Sequence, residues 1–308
     1  MEAFAIPFLV LVGALLALQA AANVQLSAAM ASPFGASTLQ LGIGAALLAA
    51  LAGLAGSLGA FGLLDEAEPW QLAGGLGSAV YITAGILLFP RLGALVAVGL
   101  FIAGQMLASL LIDGFGWLGV PQNTLGAASV AGATAVVAGA WLIVRAQAET
   151  GALEEAARQR SGWIALAVAA GAVLPIQGAI NARLNAELDA AIAVGTFSFL
   201  VATAAMALAL GAILVAGAPR PRMTALPGVP WWAWLGGLCG ATYVTSVFLL
   251  IPEIGAAPVV VLTVSGQQLA SVAVDRYGLL RLPRRAISCH RLAGVAALLA
   301  GVALITLA

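Results

Sequence analysis

The sequence predicts an all-α integral membrane protein whose ten transmembrane helices form two five-helix repeats of inverted topology. Three observations predict it. The 308-residue chain is 63% hydrophobic and 8% charged, with a mean hydropathy of +1.09, whereas a soluble protein carries roughly 25% charged residues. Its halves repeat: Gln19, Asn23 and Thr38 recur as Gln177, Asn181 and Thr196, a constant 158 positions on (177 − 19). Trp70, Tyr81, Pro90, Gly93, Gln105, Asp113 and Gly132 then recur as Trp232, Tyr243, Pro252, Gly255, Gln267, Asp275 and Gly294, now 162 positions on (275 − 113). The slip falls in the loop from Pro219 to Pro230, where insertion costs little. Finally, each half holds an odd number of apolar stretches, so the second copy must enter the bilayer upside down.

A span needs about 20 apolar residues, and in lipid an open chain satisfies its backbone only as helix. The first repeat, residues 1–145, carries such stretches at 5–28, 33–61, 70–90, 93–113 and 124–145. Met1-Glu2-Ala3-Phe4 lacks the basic region of a cleaved signal, so the first stretch is expected to stay as a span. Ser32-Pro33 divides the first two stretches, Pro90-Arg91 the third and fourth, and Gly114 to Asn123 the fourth and fifth. Residues 146–162 form a polar cytoplasmic linker, in which Glu154, Glu155 and Arg158 are spaced to pair on a short surface helix. The second repeat, 163–308, carries stretches at 163–186, 191–217, 231–251, 255–274 and 289–308.

Charge fixes the expected orientation. All 12 basic residues are Arg. Arg91, Arg145, Arg158, Arg160, Arg220, Arg222, Arg276, Arg281, Arg284, Arg285 and Arg291 follow odd-numbered spans, and only Arg183 lies on the opposite side. The positive-inside rule then puts both termini outside a bacterial inner membrane. Zero net charge gives no reason to expect a nucleic-acid partner. Cys239 and Cys289 have neither a disulfide framework nor metal-ligand spacing, so no metal or cofactor is expected.

The polar residues inside the spans carry what chemistry there is. Gln19 and Asn23 lie one helical turn apart, and Gln177 and Asn181 repeat them, so each pair shares a face. Such amides either brace neighbouring helices, at about 0.6 kcal/mol each, or line a substrate site where the repeats meet. Gln105 follows Gly104, and Gln267 follows Gly266; the small residue lets another helix approach and the amide can bond across that contact. Tyr81 and Tyr243 are matched candidates for a cavity wall or for ordinary packing. Asp113 and Asp275 sit at span ends, suited to capping or to latching a gate. Pro175 lies beside Gln177, where its ring frees a carbonyl and bends the helix. The string Gly114 to Gly119 matches a dinucleotide-binding pattern, but without a preceding strand it carries nothing. No Asp, Glu, Lys or His sits at mid-span, so the usual carrier of proton coupling is missing. A nucleotide loop and a nucleophile–base pair are absent too, which argues against a pump or an enzyme.

Five-span units with a polar first helix, duplicated in opposite orientations, resemble the drug/metabolite transporter superfamily. The string G-Q-x-x-A-S-x-x-x-D-x-[FY]-G, at Gly104 to Gly116 and again at Gly266 to Gly278, resembles its YdcZ-type branch of inner-membrane exporters. In that branch the unit occurs single, paired or fused, and this chain is similar to the fused form. The resemblance implies export of a small polar metabolite or drug-like solute. The small multidrug branch exchanges protons through a Glu in its first helix; Gln19 and Gln177 stand at the comparable places, so that mechanism does not transfer. Many ten-span relatives are drawn with cytoplasmic termini, against the Arg distribution here.

The expectation is alternating access around a midplane site formed by Gln19, Asn23, Gln177 and Asn181, with Gln105, Gln267, Tyr81 and Tyr243 around it. Its partners would be a small-molecule substrate and the bilayer, with a homodimer left open. A membrane scaffold, its amides bonded to each other, and a lipid flippase with a lateral groove are the rival readings.

Overall fold

A computed structural model describes residues 2–120, 122, 126–148, 157–254, 256–285 and 287–306. Among them there is no strand. The α-helices are α1 (Glu2–Met30), α2 (Pro33–Leu54), α3 (Gly75–Leu92), α4 (Ala94–Phe115) and α5 (Ala127–Ala148). They continue as α6 (Ala157–Leu188), α7 (Ala191–Val215), α8 (Gly236–Ile254), α9 (Ala256–Tyr277) and α10 (Cys289–Thr306). Judged on the described residues, 8 helices are long and apolar enough to cross a membrane.

Local chemistry explains most of the boundaries. Ser32 caps α2, its Oγ accepting from Gly35 N at 3.0 Å, and Pro33 opens the helix where a missing N–H costs nothing. The second stretch was expected to run to residue 61, but α2 stops at Leu54. Gly56 takes a left-handed conformation (φ 69°) and the chain continues as a 3-10 helix, Ser57–Glu66. The third and eighth stretches each open with a 3-10 turn, Pro69–Ala73 and Trp231–Leu235, bearing the matched Trp70 and Trp232. Among the described residues α6 runs from Ala157, so Arg158 is part of it; the linker residues Glu154 and Glu155 fall outside the described residues. Pro175 does not interrupt α6. The carbonyl it leaves without a helical N–H belongs to Gly171, which sits where α6 crosses α4.

Helix contacts obey an exchange rule. α1 lies on α9 as α6 lies on α4, α1 meets α8 as α6 meets α3, α2 meets α8 as α7 meets α3, and α2–α7 and α5–α10 pair across the halves. Swapping every helix for its repeat counterpart returns the same set, as a twofold axis through the bundle requires. The closest crossings use glycine. A Cβ on Gly13 would overlap the Thr263 carbonyl and one on Gly171 that of Phe101. Likewise Gly266 abuts the Val10 carbonyl and Gly104 that of Val168. Lipid supplies no hydrophobic drive between helices, so close backbone approach through small residues takes its place.

The two ends of the bundle differ in charge. At one end Arg285 Nη2 donates to the Pro90 carbonyl at 3.1 Å, Arg91 stacks 4.4 Å over the Trp163 ring, and Arg291 approaches Asp275. At the other, Arg183 pairs with Glu187 at 3.3 Å, and Gln71 Nε2 donates to the same carboxylate at 2.8 Å.

One buried amide fastens α2 to the start of α8. Gln40 Nε2 donates to the Ala233 carbonyl at 2.6 Å and its Oε1 accepts from Gly237 N at 2.6 Å. Gln40→Leu is therefore expected to cost about 1–3 kcal/mol, since a backbone N–H and a carbonyl lose their partner together. Thermal unfolding in detergent against wild type measures it.

Candidate functional site

The amide pairs singled out in the sequence are buried, but their helices, α1 and α6, do not pack on each other, so the four amides form two separate clusters rather than one site. Gln19 is 2% exposed, Asn23 0%, Gln177 3% and Asn181 1%. Each pair projects from the first helix of its repeat towards the third helix of the other, α8 for Gln19 and Asn23, α3 for Gln177 and Asn181. Glycine makes the room. The Asn181 carbonyl oxygen occupies the place a Cβ of Gly74 would take, and the Asn23 carbonyl oxygen that of Gly236, its repeat counterpart.

The two copies then diverge. Ser78 Oγ donates to Gln177 Oε1 at 3.0 Å and accepts from its Nε2 at 2.8 Å. Asn181 Nδ2 donates to Ser198 Oγ at 3.1 Å. In the first copy Gly240 stands where the second has Ser78, and Gln40, committed to the α8 backbone, stands where it has Ser198. Both amide atoms of Gln19 and both of Asn23 are buried with no hydrogen-bond partner. Leaving such a group unsatisfied costs about 1–3 kcal/mol, so four atoms in one spot are a concentrated expense with no structural return.

Gln105 and Gln267, matched residues of the two repeats, meet each other, Gln105 Nε2 donating to Gln267 Oε1 at 3.3 Å. Beside them Gln268, fully buried and with both amide atoms unpartnered, replaces the Met106 of the first repeat. Tyr81 and Tyr243 are 3% and 6% exposed; the Tyr81 ring rests on Phe101 with centroids 4.8 Å apart.

Asp275 closes the Arg-rich end. Its Oδ1 accepts from Ala94 N at 3.0 Å and its Oδ2 from Leu95 N at 3.1 Å, which caps α4 and places a carboxylate at the positive end of that helix. Arg291 Nη2 lies 3.9 Å from Oδ2, with both side chains almost wholly buried. Asp113, its counterpart, is half-buried. The α9 residues that it would cap by the same geometry have side chains outside the described set.

Sequence reasoning missed Gln40, Ser78, Ser198, Gln268 and Arg291. The available signal was the reverse of the one used: all of them fall where the repeat is polar in one copy and differs in the other, Arg291 standing against Ser129. The chain holds no group of three or more His, Cys, Asp or Glu side chains able to bind a metal among the described residues.

Comparison with known proteins agrees with this duplicated architecture. The family described as "Putative inner membrane exporter, YdcZ" matches twice, over residues 4–142 and 162–304. The chain is similar to the "Inner membrane protein YdcZ" of Escherichia coli (strain K12), 26% identical over 145 residues, which is 47% of this chain and 97% of that protein. One half of this chain thus corresponds to the whole of that relative. A solved structure titled only "Crystal structure of protein" shares the fold, with a TM-score of 0.58 and 22% identity over 96% of each chain.

Proposed function

This chain belongs to the YdcZ family of inner membrane exporters, and on that premise we propose that it is a secondary transporter of a small polar solute, working by alternating access around the amides of the bundle core. In this reading α1 to α10 all cross the bilayer. Five crossings per half set α1 and α6 antiparallel, so the twofold axis implied by the exchange of contacts lies in the membrane plane and the repeats are inverted. The end gathering Arg91, Arg276, Arg285 and Arg291 is cytoplasmic, and the termini are outside. The structure's burial of all the amides corresponds to a closed state, with water excluded from both sides. Asp275 acts as the cytoplasmic latch, because opening that side separates the start of α4 from the end of α9; Asp113 is its outer counterpart.

The observation that carries the reading is the unpartnered state of Gln19 and Asn23. A scaffold bonds its amides to one another, as Gln105 and Gln267 do; a transporter leaves donors and acceptors for its cargo. The two readings predict opposite signs. Gln19→Leu and Asn23→Leu, each replacing an unsatisfied amide by an apolar side chain of similar size, are expected to leave stability unchanged or raise it. Flux should meanwhile fall about tenfold or more, the equivalent of about 1.4 kcal/mol or above. Proteoliposomes loaded with labelled glycine, glutamine, urea, glucose or uridine provide the flux, and thermal unfolding the stability. Loss of stability with flux intact would make the amides glue and end the proposal.

A further inference from the structure

We infer that the two pseudo-equivalent polar sites are not both ligand sites: the Gln19–Asn23 copy alone receives the solute, and it takes a molecule without net charge that both donates and accepts hydrogen bonds. The inference rests on the transport reading for its consequence, but its argument is local. Each polar atom of Gln177 is bonded to one hydroxyl, Ser78, which donates to its carbonyl oxygen and accepts from its nitrogen, while Asn181 donates to Ser198. The same positions in the first copy hold Gly240, which has no side chain, and Gln40, whose amide is already bonded to the Ala233 carbonyl and the Gly237 N–H. What Ser78 and Ser198 do within one copy must be done in the other by something that is not part of the chain.

The chemistry of that ligand follows from the atoms left over. A Gln and an Asn present two carbonyl oxygens and two NH2 groups, thus acceptors and donors in equal measure. A cation would use only the oxygens and an anion only the nitrogens, each leaving half the amide atoms unsatisfied. An unpaired charge at this depth would also be uncompensated, because no Asp, Glu, Lys or His stands at mid-span to neutralise it. A zwitterionic amino acid or a urea-like amide matches all four groups. Gly236 and Gly240 let both amides lie directly against α8: a Cβ at either position would run into the Asn23 oxygen or the Gln19 amide.

The test exchanges the residues that distinguish the copies. Gly240→Ser supplies Gln19 with the hydroxyl that Gln177 already has; the atom it meets is the end of a flexible side chain, which can shift aside. Ser78→Gly removes that hydroxyl from the other copy. Thermal unfolding of the full-length protein is followed with glycine, L-glutamine and urea as neutral probes, and with choline and acetate as singly charged ones. The neutral probes are expected to stabilise wild type and Ser78→Gly, and to lose their effect in Gly240→Ser while that variant still unfolds cooperatively. Stabilisation by choline or acetate, or by none of the neutral probes, overturns the ligand class. A shift that survives in Gly240→Ser, or vanishes in Ser78→Gly, overturns the one-sided site. Should Gly240→Ser fail to fold, Asn23→Leu replaces it with the same expected loss. Binding in this pattern without flux through proteoliposomes would refute the transport reading and leave the site standing, so the two failures are distinguishable.

Discussion

Gly266→Leu is expected to prevent the bundle from assembling. Gly266 lies against the Val10 carbonyl, closer than any Cβ can come, and the obstacle is the rigid backbone of α1 rather than a side chain able to turn away. α1 and α9 would have to separate along their whole contact. Insertion of extra bulk into a filled core costs about 1–3 kcal/mol when side chains can adjust; here they cannot, and the upper end is the minimum. Gly104→Leu should behave alike, since Gly104 meets the Val168 carbonyl. Gly211→Leu on α7, with nothing within reach of a Cβ, is the control expected to be neutral. Size-exclusion profiles and limited proteolysis of the three variants would show whether assembly fails at the crossings alone.

The second large effect is at Asp275. Asp275→Ala should destabilise by about 3–5 kcal/mol, because it removes the carboxylate that faces the buried Arg291 guanidinium and strips the first turn of α4 of its acceptor. The pair itself is expected to contribute far less than that figure. Removing both charges, as Asp275→Leu with Arg291→Met, should recover most of the loss, since desolvating two ions offsets much of their attraction. Thermal unfolding of the single and double variants decides it; a double variant as unstable as Asp275→Ala would mean that the cap, and not the lost ion pair, dominates.

Periodicity and spacing made the ten apolar stretches, the repeat offsets and the amide pairs legible, because hydrophobic length and duplicated residues are properties of the linear chain. Helix faces were not legible. Spans made largely of Ala, Leu, Gly and Val are apolar all round, so no stripe marks which side looks inward; only Gln19, Asn23 and their copies broke the uniformity. The fate of those amides was out of reach because their neighbours sit in the other half: Gln177 meets Ser78 and Gln40 meets Ala233, pairs set by helix crossings rather than by spacing. The end of α2 was misplaced for a different reason. The run from Ser57 to Gly62 is apolar enough to read as span, and only the left-handed turn at Gly56 takes it out of the helix. Asp275 was readable as a cap in kind, but the helix it caps begins 181 residues away.

The exchange of contacts between the repeats has a consequence for how the molecule is made. Its four most extensive helix pairs, α5–α10, α1–α9, α2–α7 and α4–α6, all join one half to the other. When the ribosome has delivered α1 to α5, none of these helices has yet met its main partner, and Gly13 and Gly104 lack the α9 and α6 backbones they pack against. Insertion and folding are therefore separate events for this chain. The first half waits in the bilayer as a loose set of spans, open to protease surveillance and to misassociation with a second nascent chain, until α6 to α10 arrive to complete it.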